Sequence, residues 1–350
     1  MDFRELFDLV REQQASDLLI SAGAPPVLRI NGDLYRTKTD PLTPEDTRAL
    51  VYSLLTADQI QRFEERNELD FSLAYSNKHR FRVNVYRQRG AVAAALRPIP
   101  EQIPNLFELG FPEWIIEFTK ARRGLLLVTG PTGSGKTTTL AALIDQINHN
   151  RACHIITVED PIEYLHRHRK SIVDQREIGE DTHSFADALK YVLRQNPDVI
   201  LIGEMRDLET IQAALTAAET GHFVLATLHT NDAVQSIDRI IDVFPPGQQQ
   251  QIRFQLSLVL LGIISQRLIP RKDGKGRVLA YEIMRNNNAI ANLIREQKSH
   301  QVYSVMETMA REGMVPMDRC LKQLYGDYMT IPKEANRAAH SFRAYWRAQA

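Results

Sequence analysis

A chain of 350 residues is too long for one ordinary core and predicts two domains. Its 43% apolar and 25% charged residues supply ample core material, and 43 basic against 43 acidic side chains argue against binding nucleic acid by bulk charge. With only Cys153 and Cys320, neither a disulfide framework nor a four-cysteine metal site can be built, which fits a reducing cytoplasm.

The opening residues, MDFRELFDLV, carry acids early and no apolar run, so they do not read as a secretory signal. The first hundred residues read as a small α+β unit. In VLRINGDLYR, Asn31-Gly32 stands between two alternating runs, a hairpin signal. Thr43 followed by Pro44 predicts a helix start, and Thr56 with Gln59 is spaced as a capping box. RFRVNVYRQRG alternates strictly, with Phe81, Val83 and Val85 on one side and Arg80, Arg82 and Asn84 on the other. That predicts a half-buried strand with an arginine-rich polar face.

The proline-rich stretch from Arg97 to Trp114 reads as a linker. Beyond it, apolar runs such as GLLLVTG, HIITVED, DVILIGE and HFVLATLH alternate with helical stretches. Strands that are apolar throughout predict a parallel sheet covered on both faces. The longest apolar run, Leu256 to Ile264, is far short of the roughly 18–20 residues of a bilayer span and predicts a core helix or strand. The tail after Tyr325 is weakly patterned and predicts a peripheral helix.

Gly130, Pro131, Thr132, Gly133, Ser134, Gly135, Lys136 and Thr137 fit G-x-x-x-x-G-K-[ST] in full, with Thr138 next. An apolar strand precedes the motif and a helix-forming run follows it. Its glycines let main-chain N–H groups curl around phosphates, Lys136 reaches the β and γ oxygens, and the Thr137 hydroxyl ligates Mg²⁺. The helix N-terminus adds positive potential. Acids stand at the ends of other apolar runs: Glu159, Asp160 and Glu163 in TVEDPIEYLH, and Glu204 in NPDVILIGEMRD. His229 ends a third run, while His222 stands at its start. Ligands of open α/β sheets bind at the carboxyl ends of strands, so all of these but His222 point to the P-loop edge. Spacing alone leaves Glu159, Glu163 and Glu204 open as the base.

The P-loop, the VEDPIE acidic box, ILIGEMRD with TAAETGH, and ATLHTN together resemble the secretion ATPase superfamily. More narrowly, the chain resembles the type IV pilus retraction ATPases, the PilT/PilU family. The likeness covers nearly the whole chain, through ASDLLISAGAPPVLRINGDL and RFRVNVYRQRGA near the start and AIANLIRE near the end. In that last signature the family usually has arginine where this chain has Ala291. The resemblance implies a RecA-like P-loop NTPase core with a mostly parallel sheet and a carboxy-terminal helical region over 115–350. A smaller PAS-like α+β domain over 1–97 and a linker over 98–114 would precede it. It also implies that Glu163 orients and deprotonates the attacking water and that Glu204 is an atypical Walker B glutamate near Mg²⁺. His222 and His229 would sense the γ-phosphate or bridge to a neighbouring domain.

Phosphoryl transfer gains roughly 10³–10⁵ in rate from a well-placed arginine. The P-loop region offers none, and the face with Arg80 and Arg82 is the candidate source. The resemblance suggests a homohexameric ring that binds ATP and Mg²⁺ between its two domains. The implied function is an ATPase motor that powers pilus retraction and twitching motility. It would work in the cytoplasm, peripheral at the inner membrane, with a membrane platform protein and a paralogous ATPase as partners. A secretion or assembly ATPase is the alternative, but those relatives commonly carry a four-cysteine insertion and a longer amino-terminal region. A nucleic-acid translocase would need a basic pore with aromatics. His166–Ser171 and Arg267–Arg277 are basic but lack interleaved aromatics, and Asp273-Gly274 predicts a solvated hairpin.

Overall fold

The computed structural model describes residues 2–30, 32–75, 80–100, 102–271 and 276–328. The chain divides into two compact units: Met1–Gln102 with Pro161–Leu165, and Ile103–Asp160 with His166–Ala350.

Unit 1 opens with α1 (Phe3–Glu12), whose start is closed by a reciprocal capping box between Asp2 and Glu5 and whose apolar stripe is buried. Strands β1 (Asp17–Ile20), β2 (Val27–Ile30) and β3 (Asp33–Arg36) follow, then α2 (Pro44–Tyr52) and α3 (Ala57–Arg66). Thr43 caps α2 with Pro44 in its first turn, and Thr56 and Gln59 form the box that starts α3. Strands β4 (Glu68–Ala74), β5 (Arg80–Gln88) and β6 (Ala91–Pro98) complete a six-stranded sheet in the order β3-β2-β1-β6-β5-β4. Every pairing in it is antiparallel. The β2–β3 hairpin pairs Ile30 with Asp33, while Asn31 lies outside the described residues. Alternation in β5 is as expected: Phe81, Val83 and Val85 are buried, Arg80 and Arg82 partly exposed, and Asn84 exposed.

Unit 2 begins before the end of the proline-rich stretch. Leu106 and Phe111 are buried with Ile115 and Phe118 in its core, so the apolar residues of that stretch belong to the larger unit. Its elements in chain order are β7 (Gly124–Thr129), α4 (Lys136–Asn150), β8 (His154–Glu159), β9 (Ile172–Glu177), α5 (Phe185–Val192), β10 (Val199–Ile202), α6 (Leu208–Glu219) and β11 (Phe223–Leu228). They continue with α7 (Ala233–Asp242), α8 (Pro246–Val259), β12 (Leu260–Pro270), β13 (Arg277–Arg285), α9 (Asn288–Arg295), α10 (Val302–Thr308) and α11 (Met317–Tyr328). Residues 329–350, and with them most of the expected tail helix, lie outside the described residues, as do Asp273 and Gly274.

The seven strands run in the order β13-β12-β7-β11-β10-β8-β9. All pair in parallel except β13, which runs antiparallel to β12. Every residue of β7, β10 and β11 is buried, because the two faces of the sheet carry separate apolar cores. This is the α/β, RecA-like arrangement. The Leu256–Ile264 run is both helix and strand: α8 ends at Val259 and β12 starts at Leu260 without a loop. Among the described residues no helix is long and apolar enough to cross a membrane.

Candidate nucleotide site

The loop between β7 and α4 is shaped by what surrounds it. Gly130 has φ +144°, and a Cβ there would stand 2.3 Å from the Gln266 carbonyl oxygen and 2.6 Å from Ser134 Oγ, so no side chain fits. The Lys136 ammonium donates to the carbonyls of Gly130 (2.8 Å) and Pro131 (3.1 Å), which draws the loop around it. Strand β12 braces the loop from the side. Gln266 Nε2 donates to the Ser134 carbonyl (2.8 Å), and Thr129 Oγ1 donates to Ser265 Oγ (2.9 Å). Ser134 Oγ is buried without a partner among the described residues, and its O–H could donate to a bound phosphate oxygen.

The carboxyl end of β10 adds the acid. A Cβ at Gly203 would crowd the Val158 carbonyl oxygen at 3.2 Å and Glu159 Cα at 3.3 Å, so glycine lets the exits of β10 and β8 approach. Next in the chain, Glu204 pairs through Oε2 with Arg206 Nη2 (2.7 Å) and through Oε1 with His229 Nε2 (2.9 Å). His229 Nδ1 in turn lies 3.4 Å from Thr132 Oγ1 of the P-loop. One line of polar contacts therefore joins Glu204, His229 and Thr132. Burial works against the charge on Glu204. The Arg206 hydrogen bond and charge, with the contact to His229, outweigh it, so the carboxyl is held below its ordinary range.

The other candidate acids differ in their surroundings. Glu159 is 8% exposed, and its Oε1 accepts from Thr157 Oγ1 (2.7 Å) and Gln175 Nε2 (3.1 Å). Glu163 is half-buried between buried Ile162 and Tyr164, in the segment that belongs to unit 1. It makes no hydrogen bond or ion pair among the described residues. Arg80 and Arg82 also belong to unit 1, where Arg82 pairs with Asp70 on β4 (3.1 Å).

His222 stands elsewhere. It precedes β11, at the amino edge of the sheet, and its Nδ1 is 3.0 Å from the Ala217 carbonyl and 3.3 Å from Thr220 Oγ1. Its own carbonyl accepts from the N–H of Gly124, the first residue of β7, whereas the P-loop follows the last residue of that strand. His222 thus stands at the sheet edge opposite the one from which the P-loop leaves β7. Three residues escaped the sequence reading. Arg206 and Gln175 left no pattern of their own, whereas Gln266, a lone amide inside the apolar run of β12, was a visible signal for a buried polar contact.

A family model described as Type II/IV secretion system protein matches residues 75–274. The chain is 49% identical over 339 residues to the Pseudomonas aeruginosa type IV pilus retraction ATPase PilT, covering 97% of this chain and 98% of that protein. The chain belongs to this family of secretion and pilus retraction ATPases. It is also 44% identical over 325 residues to the Pseudomonas aeruginosa type IV pilus ATPase PilU, covering 93% and 84% of the two chains. Among solved structures, the pilus retraction motor PilT with bound ADP superposes with a TM-score of 0.91 at 51% identity, covering 99% of each chain. Ala291, where the resemblance led to an expectation of arginine, is buried on α9 together with Ile290 and Ile294. An arginine there would have to carry its charge out of an apolar setting.

Proposed function

We propose that the chain is a homohexameric motor that hydrolyses ATP to drive pilus retraction and twitching motility. The observation that carries this reading is the line from Glu204 through His229 to Thr132, which couples a strand-end carboxylate to a complete P-loop. The main-chain N–H groups of Gly130–Thr138 hold the phosphates, and Lys136 leaves its carbonyl partners for the β and γ oxygens. The Thr137 hydroxyl and the Glu204 carboxylate are hard oxygen donors that fit Mg²⁺, which when bound neutralises phosphate charge. Glu163 takes the proton of the attacking water. The water oxygen bonds to the γ-phosphorus as the bond to the β–γ bridging oxygen breaks, leaving ADP and phosphate. Of the three acids, Glu163 is the one with no competing partner, which suits a base. Arg80 and Arg82 stabilise the charge of the transition state. His222, at the other sheet edge, takes the bridging role rather than the sensing one.

The motor would act at the cytoplasmic face of the inner membrane on a pilus platform protein, with a paralogous retraction ATPase as a further partner and no nucleic acid. Twitching in a deletion strain tests this. The wild-type chain should restore motility and form six-fold rings in negative stain with ATP. Lys136→Ala, expressed at the same level, should restore no motility. Full motility with Lys136→Ala would overturn the reading.

A further inference from the structure

Pro161–Leu165, which carries Glu163, belongs to unit 1, and the residues just before and after it belong to unit 2. A single side chain of unit 2 reaches both flanks. Gln175 lies on β9, opposite Thr157 of β8 in the parallel register. Its Nε2 donates to Glu159 Oε1 (3.1 Å), and its Oε1 accepts from the His166 N–H (2.8 Å). Thr157 Oγ1 donates to the same Glu159 oxygen at 2.7 Å, so the buried carboxylate is held by two donors.

The chemistry of the two partners fixes the orientation of the amide. A flip would set oxygen against a carboxylate and NH₂ against an N–H, losing both bonds. Glutamate cannot donate to Glu159, and a hydrocarbon side chain can do neither. Asparagine is one methylene too short to keep both contacts from the same main-chain position. The site therefore calls for glutamine specifically.

We propose that Gln175 is a positioning residue for hydrolysis: it clips together the two ends of the segment that bears Glu163 and so sets where that carboxylate stands. The proposal rests on the reading of Glu163 as the base. It predicts an effect on turnover rather than on nucleotide binding, because the P-loop contacts do not involve Gln175. A reacting group misplaced by about 1 Å costs on the order of 100-fold in rate.

The test is steady-state ATP hydrolysis with ADP binding measured alongside. Gln175→Ala should lower kcat roughly 10–100-fold while KM and ADP affinity stay within a few-fold of wild type. Gln175→Met keeps the volume with no donor and only a weak acceptor, so it cannot hold Glu159, and it should behave alike even where the alanine variant folds poorly. In a Glu163→Gln background the same change should add little further loss, since the clip acts through a base already removed. Wild-type kcat in Gln175→Met overturns the clip, as does a loss of the same factor in the Glu163→Gln background. The underlying reading fails separately: it falls if Glu163→Gln itself turns over like wild type. Slow Glu163→Gln with fast Gln175→Met sinks the clip alone.

Discussion

The two edges of the seven-stranded sheet use their polar side chains differently. At the amino edge several serve the main chain: Asp198 Oδ2 accepts from the His154 N–H at 2.8 Å and His222 meets the Ala217 carbonyl at 3.0 Å, beside one cross-strand pair, His154 with Asp174 at 2.8 Å. At the carboxyl edge a connected set of side chains also binds one another: Glu204 with His229, His229 with Thr132, and Glu159 with Thr157 and Gln175. The difference follows from the direction of the strands. Parallel strands all exit at one edge, where the next helix begins and its free N–H groups gather positive potential. That edge rewards side chains that hold charge and each other. Two histidines on either end of β11 therefore carry the same chemistry and different roles.

The largest expected effect tests the carboxyl edge directly. Glu163 follows the carboxyl end of β8 in the chain, and Glu163→Gln keeps its size while removing the proposed base. Hydrolysis should fall by about 10²–10⁴ with ATP still bound. A variant that hydrolyses ATP within a few-fold of wild type would move the base to Glu159 or Glu204.

A paired measurement on β11 sharpens the contrast between edges. His229→Ala removes a hydrogen bond to a charged group, worth roughly 1.5–3 kcal/mol, and frees the P-loop threonine from its strand-end partner. Turnover should drop about 10–100-fold, the rate equivalent of that energy. His222→Ala removes only contacts to a carbonyl and a hydroxyl at the far edge, so turnover should change by no more than a few-fold. Equal losses in the two variants would erase the distinction drawn between the edges.

Much of this was legible in the sequence because it is local. The P-loop spacing, the capping boxes at Thr56 and the alternation of β5 each need only a few neighbouring residues. So did the placing of Glu204 and His229 at strand exits and of His222 at a strand start. What escaped depends on register between distant strands. Gln175 meets Glu159 because β8 and β9 pair in parallel across an intervening loop, and no spacing in either strand announces it. Gln266 reaches the P-loop because β12, far downstream in the chain, pairs beside β7. The join at Val259 and Leu260 was hidden for another reason: a run of leucines, valine and isoleucines is equally apolar as helix or strand.

The smallest expected effect separates charge from burial at the carboxyl edge. Glu204 keeps its charge chiefly because Arg206 hydrogen-bonds it, whereas His166 is held neutral by burial, which pushes its imidazole down to about 4 from the ordinary 6.5. Between those values the unfolded chain binds the proton and the folded chain does not. The stability that depends on the neutral ring is thus fully present above pH 6.5 and is lost as pH falls towards 4. At pH 5 the loss from this one group is about 2 kcal/mol relative to neutral pH. His166→Gln cannot take up the proton, and it leaves in place the main-chain N–H that Gln175 holds. Urea unfolding at pH 7.5 and pH 5 should therefore show a smaller fall in stability for the variant than for the wild type. If both fall by the same amount, His166 is protonated without cost in the fold, and burial is not what sets its state.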